Sequence, residues 1–186
     1  EFTPNDRGWP DLRWSFTDHG EGEGCRLASA ECTPASHDIV LLDRDIAGPA
    51  YSAMLDLARR HSLAFSLVWR DDTSYGPQAH TLLRSLGPYL RYEHHTHEWR
   101  GTTLMRAKAW VRWFRATEES LALIARSESL FAWHGPGLPE DMAFYAEDGR
   151  GWLGSTAHES LAWIDMTAID RDASTDFLAM LPLLDR

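Results

Sequence analysis

The segment YEHHTHEW, Tyr92 to Trp99, places three histidines and two glutamates within eight residues. Imidazole and carboxylate groups are common side-chain ligands of transition metals. In an extended strand alternate side chains share a face, so His95 and His97 could bind one ion together. A zinc site normally takes at least three protein ligands, so this pair needs a further one from elsewhere in the chain.

The sequence supplies candidates for the third ligand in His80, His134, His158 and Glu159. None has a spacing that forces it to meet the pair, and we take His95, His97 and His158 as the alternative metal set. The interpretation we favour is a polar edge strand without metal, because polar side chains on an edge discourage pairing with other sheets. The sequence therefore predicts no cofactor and no metal.

A second candidate site is a basic stripe in TLMRAKAWVRWF, where alternation puts four side chains on one face of a predicted strand: Arg106, Lys108, Trp110 and Arg112. Cations around a tryptophan can hold a phosphate, a carboxylate or a base by charge and stacking. On an acidic protein the same stripe can pair with acids on neighbouring strands instead. We favour this pairing for the stripe as a structural role, and we predict the same four residues as the set that would bind a ligand or partner.

A third candidate is GSTAHES, Gly154 to Ser160, which groups serine, threonine, histidine and glutamate. Hydrolytic triads are assembled from residues distant in sequence, so adjacency is no evidence for one. The chain contains no G-x-S-x-G, H-E-x-x-H, Walker loop or G-x-G-x-x-G motif. We predict no catalytic residue, and His158 and Glu159 are then expected to cap or orient the next element.

Composition indicates a folded, acidic protein. The chain has 186 residues, 44% of them hydrophobic, which is enough for the core of one domain. Its 28 acidic and 18 basic residues give a formal charge of -10. That charge disfavours nucleic acid and anionic membranes and favours a basic protein partner or a small molecule. Two cysteines, Cys25 and Cys32, are too few for a disulfide scaffold, and a cytoplasmic location is expected.

Periodicity predicts an α+β fold with a mixed, largely antiparallel sheet flanked by helices. The predicted central strands are residues 39–42, 64–68 and 105–113, the flanking helices are residues 50–60 and 118–125, and Leu12 to Phe16 form a first strand. Asp148-Gly149 predicts a two-residue hairpin turn in which Tyr145 faces Trp152 and Phe144 faces Leu153. A last helix is expected to begin at Asp170 or Asp172.

The chain shows no internal repeat, no low-complexity tract and no run of roughly 20 apolar residues that would span a bilayer. Glu1 and Phe2 match the dipeptide encoded by an EcoRI cloning site and are interpreted as a cloning scar. The expected organisation is a single domain over residues 3–186.

The succession LPEDMAFYAEDGRGWLGSTAHE, together with EWRGT, resembles sequences of a family of small, single-domain, uncharacterised bacterial proteins. The likeness covers the second half of the chain. It implies a bacterial source and supplies no catalytic residues.

Three functional hypotheses follow. The first is a non-enzymatic binding protein, in its specific form an immunity-type inhibitor of a basic toxin, because negative charge speeds encounter and the nine tryptophans offer anchors. The second is a metal-dependent enzyme or metal-binding protein that uses the strand with His95 and His97. The third is a small-molecule binder with a tryptophan-lined pocket. The sequence leaves the oligomeric state open.

Overall fold

The computed structural model describes residues 39–42, 44–99 and 101–181. The predicted strand at Leu12 to Phe16 and the two cysteines lie outside these residues. The strands are β1 (Ile39–Leu42), β2 (Ala64–Arg70), β3 (Leu90–Thr96), β4 (Glu98–Trp99), β5 (Thr102–Thr103), β6 (Ala109–Arg115), β7 (Glu140–Tyr145), β8 (Gly151–Thr156) and β9 (Leu161–Asp165). The helices are α1 (Pro49–His61), α2 (Pro77–Leu86), α3 (Glu118–Ile124) and α4 (Arg171–Ala179).

Seven strands form one sheet in the order β1-β9-β8-β7-β2-β6-β3, and the adjacent strands are antiparallel throughout the described residues. Four antiparallel ladders separate β1 from β2, so these two strands run in the same direction and α1 is the crossover between them. The predicted α+β class is confirmed, and β2 is central as predicted. The structure corrects the placement of Ile39–Leu42, which among the described strands lies at the edge of the sheet, beside the unpredicted β9.

The helices begin where local sequence signals place their starts. Pro49 lies in the first turn of α1 and Pro77 in the first turn of α2, where a missing N–H costs no helical hydrogen bond. Thr117 caps α3 by accepting a hydrogen bond from the Ser120 N–H, and Asp170 caps α4 in the same way. None of the described helices is both long enough and apolar enough to cross a membrane.

Side chains that alternate between the two faces of the sheet pack into two separate hydrophobic cores. Phe65, Leu67, Phe114 and Phe144 face the helices and join the larger one. On the opposite face a smaller core contains Val68, Val111, Trp113 and Tyr145, and it is covered by Trp99. Trp99 comes from the hairpin of β4 and β5, which is a two-stranded sheet separate from the large one.

The strand predicted over residues 105–113 begins later than expected. β6 starts at Ala109, and the preceding residues lie outside regular structure, with Met105 98% exposed. In the sequence, the alternation of side chains extends through residues 105–108. In the structure, the neighbouring strand β3 pairs with β6 only from Ala109 onward. Without a partner strand the pattern alone does not produce a ladder.

The hairpin between β7 and β8 differs from the predicted two-residue turn. Phe144 faces Leu153 as predicted, but a register shift places Tyr145 opposite Gly151, and Trp152 stacks on Phe144 with ring centroids 5.5 Å apart. The Gly149 N–H bonds the Ala146 carbonyl at 3.0 Å, and φ is +81° at Gly149. Asp148 does not take a positive φ, so the loop is a three-residue turn with a glycine bulge.

Candidate metal centre

Three side chains that could bind a metal ion meet at the end of the sheet where β2 ends, β7 begins and β8 ends. They are Glu140, Asp141 and His158, and one ligand atom from each lies within 4.8 Å of the other two. Glu140 and Asp141 are the first residues of β7, and His158 lies in a short 3-10 helix, Ala157–Glu159, that follows β8. In the described part of the chain this is the one such group of three His, Cys, Asp or Glu side chains.

A β-bulge brings the two carboxylates together. Consecutive side chains of a regular strand point to opposite faces of the sheet, which would separate residues 140 and 141. Ser66 pairs with Ala143 while Val68 pairs with Glu140, so two residues of β7 oppose one residue of β2. Asp141 takes the extra position with φ +52°, a left-handed conformation that Asp tolerates better than most residues. The bulge redirects the Asp141 side chain towards the same point as Glu140.

Donors from two directions fix the Asp141 carboxylate, which is 3% exposed. Oδ2 accepts hydrogen bonds from Trp99 Nε1 at 2.8 Å and from Thr102 Oγ1 at 3.4 Å. Oδ1 accepts the backbone N–H of Ala157 at 3.0 Å. These three hydrogen bonds restrain the orientation of the carboxylate.

Glu140 is 5% exposed and has an unsatisfied oxygen. Its Oε2 makes no hydrogen bond within the described residues, and the nearest cation, Arg70 Nη1, is 3.7 Å away. Arg70 is engaged elsewhere, because its Nε and Nη2 donate to Asp72 at 2.9 and 2.8 Å. Burial raises the pKa of Glu140, Arg70 opposes this rise, and the negative charge of Asp141 adds to it.

His158 forms the solvent side of the cluster, with a side chain that is 37% exposed. Its Nδ1 lies 3.8 Å from Asp141 Oδ1, and its Nε2 lies 3.8 Å from Glu159 Oε1. Interaction with the Asp141 carboxylate raises the pKa of His158, partial burial opposes the rise, and Glu140 and Glu159 add to it. The neighbouring carboxylates therefore stabilise the protonated form of the ring.

Two carboxylates and an imidazole form a donor set typical of sites for zinc and similar divalent transition metals. Two ligand atoms that are each about 2.1 Å from an ion can be at most about 4.2 Å apart. The 3.8 Å between Asp141 Oδ1 and His158 Nδ1 satisfies this limit, and the widest separation in the group, up to 4.8 Å, exceeds it slightly. Coordination of one ion would therefore require Glu140 or His158 to move towards the other ligands.

The histidines predicted from the sequence lie elsewhere. His95 is on edge strand β3, where Nε2 contacts Asp71 Oδ2 at 2.8 Å and the ring stacks on Trp110 at 4.7 Å. His97 lies in the bend after β3. Within the described residues, neither shares a three-ligand group with His158. His158, the third member of the predicted alternative set, thus lies in a cluster of potential ligands. Its partners there are Glu140 and Asp141, which the sequence analysis did not select.

The predicted basic stripe is divided by the late start of β6. Trp110 and Arg112 are on the strand, whereas Arg106 and Lys108 precede it and are exposed. Arg112 Nε donates to Glu93 on β3 at 2.9 Å, and its guanidinium lies 4.8 Å from the Trp69 ring and 5.5 Å from the Trp110 ring. Arg112 therefore pairs with an acid of the neighbouring strand.

Two surface cavities lie away from the cluster. One, of about 470 Å³, lies beside α1 and includes Tyr51, Asp56 and Arg59 in its lining. The other, of about 310 Å³, lies between α2 and α3, and Trp133 is the one tryptophan that lines either cavity. Neither of these two cavities contains a member of the cluster.

Sequence reasoning missed Glu140 and Asp141 because adjacent acids at the start of a strand give no spacing signal for a shared site. Their convergence depends on the bulge and on φ at Asp141. The proline before them and the HE pair at residues 158–159 were visible, but neither specifies a contact. Comparisons of the chain with protein-family models, with curated proteins and with solved structures find no match.

Proposed function

We propose that this protein binds a divalent transition-metal ion through Glu140, Asp141 and His158. The observation that carries the proposal is Glu140, which belongs to a group of three potential ligands and whose buried Oε2 has no hydrogen-bond donor among the described residues. A buried acceptor without a partner is costly, and a cation would satisfy it. The exposed edge of His158 leaves room for water as a further ligand.

Calorimetric titration of zinc into tag-free protein, stripped of metal with a chelator, tests the proposal. We expect one zinc per chain and loss of binding in His158→Ala. The control is His80→Ala, an exposed histidine on α2 outside the cluster. A protein that takes up no zinc contradicts the proposal.

The same titration distinguishes the cluster from the metal site that the sequence suggested at His95 and His97. A double variant, His95→Ala with His97→Ala, should bind zinc as the wild type does, because neither residue contributes to the cluster. Loss of zinc in that double variant, with retention in His158→Ala, would move the site to the histidine strand.

A second candidate function is binding of a basic protein partner, in its specific form inhibition of a toxin. It is supported by the formal charge of -10 and by edge strand β1, where Ile39 and Leu41 are 45% and 59% exposed. Edge strands with apolar side chains can pair with a strand of a partner. Co-expression with the product of a neighbouring toxin gene tests it: Leu41→Asp should abolish protection and leave zinc binding intact.

A further inference from the structure

The hairpin of β4 and β5 contacts the main sheet through the packing of Trp99 in the smaller core and through hydrogen bonds to Asp141 of the candidate cluster. Its strands have two residues each and form a sheet of their own. Among the described side chains of the hairpin, Trp99 and Thr102 hydrogen-bond the main sheet, and both donate to Asp141 Oδ2. A carboxylate proposed to bind metal thus also holds the hairpin.

The two oxygens of Asp141 face different structures. Oδ2 faces the hairpin, at 2.8 Å from Trp99 Nε1. Oδ1 faces the cluster, at 3.8 Å from His158 Nδ1, and accepts the Ala157 N–H at 3.0 Å. Any ligand that fixes the orientation of Oδ1 therefore also fixes the direction in which Oδ2 accepts hydrogen bonds.

We propose that the β4–β5 hairpin responds to metal occupancy, being held more firmly when an ion is bound at Asp141. This inference rests on the proposed function of the cluster. A metal at Oδ1 restrains rotation of the carboxylate and keeps Oδ2 aimed at Trp99. By thermodynamic linkage the closed hairpin must then favour the bound ion by the same factor.

The hairpin has features of an element that opens locally. It is short, Glu98 and Thr103 are exposed, and its turn passes through Gly101 at φ +86°. Gly101 lies directly against Trp163, where an added Cβ would be 2.5 Å from Cη2, so the closed position is sterically defined. Short elements of this kind exchange amide protons through local opening at lower free energy than central strands.

Amide hydrogen exchange of the full chain, with and without saturating zinc, tests the coupling. We expect zinc to slow exchange at Trp99, Gly101 and Thr102 by about tenfold or more, because linkage makes the effect of zinc on the hairpin equal to the effect of the hairpin on zinc affinity, which is about tenfold or more for an outer-shell contact. Amides of β1, at the far edge of the sheet, serve as the reference. Zinc that binds at the cluster but leaves hairpin exchange equal to that of the metal-free protein overturns the inference while the proposed function stands. Absence of zinc binding overturns both.

The reciprocal effect is measured on zinc affinity. Trp99→Phe should raise the zinc dissociation constant by about tenfold or more, because it removes an outer-shell donor to a ligand. Thr102→Val removes the longer of the two hydrogen bonds and should weaken binding less. Thr103→Val is the matched control, since Thr103 is exposed and its side chain makes no hydrogen bond in the described structure. Equal affinities for all three variants and the wild type would overturn the coupling.

Discussion

The indole N–H of Trp99 donates a 2.8 Å hydrogen bond to the carboxylate of Asp141, across 42 residues of sequence. Trp99 is 4% exposed and Asp141 is 3% exposed, so the bond is shielded from water. It joins the smaller core, in which the Trp99 ring packs, to the start of β7. One side chain therefore contributes both apolar contact and the satisfaction of a buried charge.

Trp99→Phe should lower the free energy of unfolding by about 2 kcal/mol or more, because a buried hydrogen bond to a charged group is lost while most of the ring contact stays. Urea denaturation of metal-free protein measures the change. Trp110→Phe, at an exposed tryptophan, is the control and should change stability much less. Similar losses in the two variants would show that the Asp141 contact contributes little.

Local signals were sufficient for the elements whose boundaries depend on neighbours in sequence. Pro49, Thr117 and Asp170 each mark a helix start, and the structure begins helices at or beside them. The prediction for the edge character of the histidine segment is also confirmed, since β3 ends the sheet and is mostly exposed. These features follow from capping and polarity, which short windows of sequence contain.

The features that could not be predicted from the sequence depend on pairing between strands that are distant in the chain. The order of the strands put Ile39–Leu42 at an edge, and the late start of β6 removed Arg106 and Lys108 from the predicted stripe. The cluster is the clearest case, because Glu140 and Asp141 converge through a bulge against β2, far away in sequence. A one-residue irregularity in register changes which side chains meet, and no periodicity reveals it.

Gly149→Val should destabilise the protein by about 1 kcal/mol or more. Gly149 has φ +81°, and a β-branched side chain resists that conformation. Gly149→Asn is the matched control, because Asn tolerates positive φ, and it should cost clearly less. Thermal unfolding of the two variants measures the difference, and equal midpoints would indicate that the loop rearranges to remove the strain.

Gly154→Ala should destabilise the protein by about 1–3 kcal/mol through overpacking. A Cβ at this position would lie 2.3 Å from Cζ2 of Trp163, which crosses over the backbone of β8. Gly137→Ala is the control, because no heavy atom lies within 4 Å of its added Cβ. Urea denaturation compares them, and a loss in Gly137→Ala as large as that in Gly154→Ala would contradict the steric explanation.

Glu140→Gln should change how stability depends on pH in the metal-free protein. Burial raises the pKa of Glu140 above its ordinary value of 4.5, so the folded state holds this proton more tightly than the unfolded chain does. The stabilisation from the protonated carboxyl is complete below pH 4.5 and is lost as the pH rises through the folded-state pKa. Glutamine stays neutral and avoids that loss.

The expected result is that Glu140→Gln gains stability relative to the wild type as the pH is raised from 4 to 8. Urea denaturation in the presence of a chelator, at several pH values, measures the difference between the two proteins at each pH. Taking this difference removes most of the contribution of His158, whose pKa is also raised and whose stabilising effect falls as the pH rises above 6.5. A difference that is constant, or that shrinks with rising pH, would mean that Glu140 ionises without cost in the folded protein. The buried Oε2 would then have a partner other than a metal ion.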